Sequence, residues 1–570
     1  MGLNRLRLQA ILSSQARKRD LPYLCEVEYL ESTGEQWITI PYKIVTTDTF
    51  RHETANQYTK LGTNQYEGQT SGGNWYGING SGNYTIGSGI VSSFTASTTD
   101  FDNIVADSDE TGLTLIVNGN IVGTRSSKSS GQKVYIFDCF NPNATATGNY
   151  YNFVRKKYHR LYVNGSLFFD GIPVLDYDMK PAMYDRVTKK LFYNEGTGAD
   201  FKYGRQIYYC DCIVADGEQY IDTGFSTNSN TSFEAIFTKH STTTKAIFGS
   251  RRLYQQDSYC FSFMNVGGIK IDYGSSAVTT DFRVVNQKIH LKKEKEKNYI
   301  GGNEYTANKV QTFSVVPTFL LFSVQNGDGT TATKADMALY MAKLWDNDVL
   351  VRDYKPAYDE NGVAFMFDRV THTIYDNAGT GAFKAGFEDK QGNLYTKVSY
   401  LESTGGAIIR VDIPTTGTQK VKHVCCQQYV TQEGRQLEGF AQVGRWFGIN
   451  EGYYHITSGS KSDVMSSTTD FDKIVFESEV GRQSLTVNGA EILTTNLASM
   501  QDTTGIRLFA AGGNSYVCYL RKKYHLVYLD NKLVFAGVPV VKANGVVGLF
   551  DVVTKTIFRN AYTGEFIAGE

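Results

Sequence analysis

Short runs in which apolar and polar residues alternate dominate this chain. Glu26-Val27-Glu28-Tyr29-Leu30 and Trp37-Ile38-Thr39-Ile40 place every second side chain on one face, the period of a half-buried β-strand. Between such runs stand turn formers, as in Gly72-Gly73-Asn74-Trp75-Tyr76-Gly77-Ile78-Asn79-Gly80. Leu115-Ile116-Val117 runs into Asn118-Gly119, the strongest local signal of a tight hairpin. A parallel barrel needs helical runs of about 10 to 15 residues between its strands, and the pattern supplies none. It predicts an all-β chain of two-layer antiparallel sandwiches.

The pattern repeats. Tyr29-Leu30-Glu31-Ser32-Thr33-Gly34 returns at Tyr400 to Gly405, and Ala215-Asp216-Gly217-Glu218-Gln219-Tyr220-Ile221 is a degenerate copy. Each copy opens a stretch of roughly 180 residues that closes on a shared phrase. Those phrases are Tyr184-Asp185-Arg186-Val187-Thr188, Phe367-Asp368-Arg369-Val370-Thr371 and Phe550-Asp551-Val552-Val553-Thr554. Three tandem β-sandwich modules follow, at residues 21–204, 205–386 and 387–570, with short joints that favour fixed packing over flexible tethers. The first and third agree most closely, sharing Ser-Thr-Thr-Asp-Phe-Asp at 97–102 and 467–472 and Arg-Lys-Lys-Tyr-His at 155–159 and 521–525. The second has Leu339-Tyr340-Met341-Ala342-Lys343-Leu344-Trp345 in place of the basic phrase. It also carries Lys292-Lys293-Glu294-Lys295-Glu296-Lys297, read as an exposed turn and its flanks.

Residues 1–20 precede the first repeat. Leu3, Leu6, Leu8 and Ile11 fall at mostly helical spacing among Arg5, Arg7, Arg17, Lys18 and Arg19, which predicts a basic amphipathic arm, helical or extended, that anchors the chain to a partner. The whole chain is otherwise balanced, with 57 basic and 58 acidic side chains and a net charge of −1. No global field draws it to nucleic acid or to an acidic membrane. The 55 glycines, 38 tyrosines and 33 phenylalanines against 9 prolines suit strands and tight turns. The eight cysteines do not recur with the repeat, so neither a disulfide framework nor a structural metal is expected. No apolar run reaches the roughly 18 residues of a membrane span, and no signal peptide is evident, so maturation in a cytosol is expected.

Catalytic motifs are missing. The eight histidines form no HExxH, and neither GxSxG nor a phosphate-binding loop occurs. His159 and His525 recur in the Arg-Lys-Lys-Tyr-His phrase, which reads as a solvated or interface strand, with an anionic partner surface as the alternative. Asp185, Asp368 and Asp551 could be calcium ligands or glycosidase acids. Each leads into a β-branched pair, Val187-Thr188 in the first copy, which favours an Asp-capped turn, a scaffold role. Trp75, Tyr76, Tyr254, Trp446, Tyr453 and Tyr454 are candidate aromatics for stacking on sugars or for a subunit interface. No enzyme, cofactor or metal is expected.

Taken together, Tyr-Leu-Glu-Ser-Thr-Gly, Phe248-Gly249-Ser250-Arg251, Gly171-Ile172-Pro173-Val174 and the Asp-Arg-Val-Thr phrases with Gly196-Thr197-Gly198 resemble concanavalin A-like, laminin-G-like jelly-roll modules of Bacteroides-type gut bacteria and their phages. The resemblance covers nearly everything after residue 20. A triple module behind a basic arm is also similar to head fibre and head auxiliary proteins of crAss-like phages. It implies a virion structural protein on the capsid surface, made in the host cytoplasm. Such a protein would be a homo-oligomer, a trimer in many fibres, anchored through its arm to the major capsid or another virion protein. The rivals are a carbohydrate-binding adhesin that meets host or mucosal glycans, and a glycoside hydrolase. Lectin-type members hold calcium through loop acids, and no full ligand set matches here.

Overall fold

The computed structural model describes residues 21–45, 47–69, 74–87, 90–109, 111–126, 133–138, 152–253, 256–266, 268–305, 308–413, 415–416, 418–440, 445–456, 460–496, 505–511 and 516–570. The anchor residues Leu3 to Arg19 and the candidate aromatic Tyr254 lie outside them. Every regular element among the described residues is a β-strand. The alternation in the sequence is therefore a true period of two, and the all-β expectation holds. Leu21–Tyr208 with Phe367–Ile374 form one compact unit, and Tyr209–Met366 with Tyr375–Glu570 form another.

In the first unit, a six-stranded antiparallel sheet runs in the order Ile38–Lys43, Lys133–Ile136, Gln65–Gly68, Trp75–Ile78, Asn83–Ile86, Ile90–Thr95. Against it lies a larger sheet whose central strands Phe50–Tyr58 and Phe153–Val163 pair along most of their length. Ile38, Ile40, Ile78 and Ile86 from one layer pack with Phe50, Ile104, Leu115 and Leu161 from the other in one apolar core. Each buried aliphatic side chain there contributes about 1.5–3 kcal/mol relative to exposure.

The second unit holds two such sandwiches. Their six-stranded sheets run Ile221–Asn228, Ser314–Leu321, Lys245–Leu253, Gln256–Asn265, Ile269–Gly274, Ser276–Thr279 and Ile409–Val411, Ile506–Leu508, Arg435–Phe440, Trp446–Asn450, Tyr453–Ile456, Ser460–Met465. Thr396 pairs with Val541 between strands. Lys555 Nζ lies 2.8 Å from Asp211.

The predicted turns form as their residues require. Asn118 and Gly119 both take positive φ, 50° and 80°, as do Asn488 and Gly489, at 51° and 87°. These are the left-handed angles that match a two-residue turn to the twist of its strands. The repeated aspartates are turn caps. Asp185 accepts from the N–H groups of Asp170, Val187 and Thr188 and from the Thr188 hydroxyl at 2.6 Å. Asp551 accepts from the N–H groups of Ala536, Val553 and Thr554. Asp368 accepts from the Val370 N–H and the Thr371 hydroxyl. All three are buried, with their lone pairs committed to backbone and threonine.

Candidate functional site

Two kinds of polar feature stand out, one inside the sandwiches and one on their faces. The inner one corrects the reading of Arg-Lys-Lys-Tyr-His as a solvated strand. Along Phe153–Val163 the alternation is interrupted by a register shift between Lys156 and His159, which brings both to the inner face. Arg155 turns outward to Glu31 at 2.6 Å, while Lys156 and His159 point into the core and are 0% and 1% exposed. The Lys156 ammonium donates to Thr54, Asn56 and Glu67, at 2.8, 2.7 and 3.0 Å. His159 Nε2 meets His52 Nδ1 at 3.1 Å.

The third repeat rebuilds this cluster with other partners. Lys522 lies 2.8 Å from Glu438 and also bonds Gln427, and His525 Nε2 meets His423 Nδ1 at 2.9 Å. Because an ammonium can only donate, the 3.1 Å contact between Lys522 and His525 Nδ1 fixes a tautomer. His525 carries its proton on Nε2 and donates to His423, whose own proton is then on Nε2. That nitrogen has no hydrogen-bond partner among the described residues. Its ring sits among those of Phe440, Phe447 and Phe476.

Burial governs the charges here. It pushes His52 down to about 4 and His423 down to about 3, and both pairs stay neutral. Glu67 is held below the ordinary carboxylate range: burial opposes its charge, but Lys156, Asn56 and the Phe137 N–H together outweigh it. Burial likewise opposes the charge on Lys522, and Glu438 overcomes it and keeps the ammonium protonated.

Cys425, Glu438 and His525 place ligand atoms within 4.8 Å of one another, as a metal site would. Lys522 bonds both Glu438 and His525, so the lysine is the cation of this cluster. A metal would have to displace it. The clusters are structural.

The outer feature lies on the six-stranded sheets. In the third repeat Arg435, Leu437 and Gly439 share one face of their strand, opposite Glu438, and Trp446 stands across from Gly439. Gly439 has φ +129°, and a Cβ there would come within 2.4 Å of the Arg445 carbonyl oxygen. Only glycine fits. The half-buried Trp446 and Tyr516 rings lie nearly parallel, 21° apart with centroids at 5.7 Å. The Arg435 guanidinium touches both, at 4.8 and 5.0 Å, and bonds His455 at 3.0 Å. The two rings are stacked with an offset, and the guanidinium packs against both. In the first repeat Trp75 stacks on Tyr66, with centroids 4.2 Å apart.

Of the candidate aromatics, Trp75, Trp446 and Tyr453 are half-buried, and Tyr453 carries Lys461 over its ring at 4.2 Å. Tyr76 and Tyr454 alternate with them and face the core, 2% and 1% exposed. The Tyr454 hydroxyl is bound to Asp472 at 2.6 Å. These two rings cannot stack on a ligand. The sequence did not single out Tyr66, Arg435 and Tyr516. Only the pairing of strands brings them to Trp75 and Trp446.

No protein-family model matches the chain, and neither does any curated protein. Among solved structures it is similar to domains LG4-5 of the mouse laminin α1 chain. That match has 10% identity and a TM-score of 0.21, over 57% of this chain and 92% of that one. It is also similar to the LG1-3 region of the laminin α2 chain, with 11% identity and a TM-score of 0.22, over 88% of this chain and 96% of that one. The likeness is distant and concerns laminin-G-like, jelly-roll architecture. One expectation is corrected: both of these structures are laminin domains and neither is a virion protein, and the head-fibre or capsid-decoration reading is withdrawn.

Proposed function

We propose that the protein is a non-catalytic, lectin-like saccharide-binding protein whose contact surfaces are the stacked aromatic pairs beside its six-stranded sheets. The observation that carries this is the half-exposed, stacked Trp446 and Tyr516 pair with Arg435 packed against both rings. A half-exposed flat aromatic surface suits the C–H face of a pyranose ring, and the guanidinium and His455 beside it suit hydroxyl or acidic substituents. Trp75 on Tyr66 offers a smaller surface of the same kind.

A hydrolase would need two carboxylates facing each other across such a surface. The acid on the Arg435 strand, Glu438, is turned inward and bound to Lys522. Affinity electrophoresis through gels containing neutral or acidic polysaccharides tests the reading. At least one polysaccharide should retard the full chain, and Trp446→Ala should remove most of that retardation. A chain that migrates freely in every gel, or a Trp446→Ala variant retarded like the wild type, would overturn it.

A further inference from the structure

Across the larger sheet of the first and third repeats runs a row of three residues on neighbouring strands: an acid, a long cation and a tyrosine. In the first, Arg51 stands between Asp107 and Tyr162 and pairs with Asp107 at 3.1 Å. In the third, Lys422 stands between Glu477 and Tyr528 and lies 3.3 Å from Glu477. The chain fills its own row.

The second repeat keeps the two ends and loses the middle. Ser232 is paired with Glu294 on one side and Trp345 on the other. Tyr162, Trp345 and Tyr528 stand 183 residues apart in turn (345 − 162 and 528 − 345), so the three rows are equivalent. With a serine where its sister repeats hold Arg51 and Lys422, the sheet face opens into a groove of about 460 Å³. That volume lies in the range of small-ligand pockets. Ser232, Glu234, Glu294, Glu296, Trp345 and Asp348 line it with three lysines, so four carboxylates face three ammoniums. Two of those lysines lean on lining acids: Lys292 pairs with Glu294, and Lys295 lies 4.0 Å from Asp348.

A carboxylate and an indole on either side of a gap are the two recognition elements of an organic cation. Tryptophan binds a cation more strongly than the tyrosine of the sister rows. We infer that this groove binds the protonated amine of an amino sugar, which takes the place that Arg51 and Lys422 occupy in the other repeats. The inference rests on the saccharide-binding reading above and names its ligand class for the second repeat. The sugar ring would lie on Trp345, and its ammonium would sit over Ser232 toward Glu294.

Isothermal titration of the full chain with two probes that differ only in the amine tests this. One is a β-1,4-linked glucosamine tetramer, the other its N-acetylated counterpart. The glucosamine tetramer should bind at least about tenfold more tightly, and added salt should weaken it. Ser232→Arg restores the first repeat's residue on a strand that accommodates one there, and should weaken binding at least about tenfold. Ser232→Ala should leave it within about twofold. Equal affinity for the two probes, no binding of the glucosamine tetramer, or unchanged binding by Ser232→Arg would each overturn the inference. Gel retardation of the same variants separates the two readings. If retardation sensitive to Trp446→Ala persists while amine binding fails, the groove alone is refuted. Amine binding without any retardation refutes the aromatic pairs as the contact surface and leaves the groove standing.

Discussion

Lys156 and Lys522 are the residues whose roles depart furthest from their usual behaviour, and the second repeat is a natural control for them. Lys156, Leu339 and Lys522 are equivalent, as are His159, Ala342 and His525, each set spaced by 183 residues. Glu67 and Glu438 precede the same glycine as Phe248. The ionic cluster of two sandwiches is thus replaced in the other by packed rings, with Phe233 and Phe248 centroids 5.1 Å apart. Breaking a buried pair leaves a lone charge, whereas replacing both members with apolar groups is close to neutral. Lys522→Leu should therefore destabilise the third repeat by about 3–5 kcal/mol, and adding Glu438→Phe should recover most of that, read from urea unfolding midpoints. A double variant as unstable as the single one would contradict this.

The histidines set the acid response. An unfolded histidine takes up a proton near pH 6.5, but His52 does so only at about 4 and His423 at about 3. The unfolded state therefore binds more protons between these values, and stability falls as pH falls. The contribution is complete above about pH 6.5 and drains away toward pH 4 and pH 3. Hydrogen exchange at about pH 4.5 should show lost protection in Phe50–Tyr58 and Val421–Tyr429 before Thr231–Lys239, where Phe233 replaces the histidine. Equal loss in all three would contradict the assignment.

At the scale of elements, the turn aspartates and one special glycine fix the strand ends. Asp551 holds three backbone N–H groups and a hydroxyl, so Asp551→Ala should cost about 2–3 kcal/mol in chemical denaturation. Gly68, Gly249 and Gly439 share a positive φ of 112°, 132° and 129°. Gly439→Ala should cost about 1–3 kcal/mol by the same measurement. The turn aspartates were legible in the sequence, because an aspartate leading into a β-branched Val-Thr pair has few other uses, and Asn-Gly between strand formers specifies its own turn; the special glycine was not.

The Arg-Lys-Lys-Tyr-His strand was not legible in the same way. Its charges suggest a wet face, and only the alternation of Arg155 out and Lys156 in, with Glu67 arriving from the opposite sheet, shows otherwise. The row of Ser232, Glu294 and Trp345 was still less visible, because it exists only in the register of three strands far apart in sequence.

At the scale of the whole molecule, one design is used three times with different fillings. Two cores are ionic and one is aromatic. Two sheet faces are closed by the chain's own cation and one is open. Triplication lets each copy drift while its turns keep the strand order, which is why the repeat was evident from phrases such as Tyr-Leu-Glu-Ser-Thr-Gly although the contents of each core were not. Saccharide binding through the stacked aromatic pairs is the central claim, and a glycan array probed with the full chain and with the Trp75→Ala/Trp446→Ala double variant tests it most directly. The account predicts a defined set of glycans bound by the wild type, with signals at least about tenfold lower for the double variant. An array that is blank for the wild type, or identical for the two proteins, would contradict it.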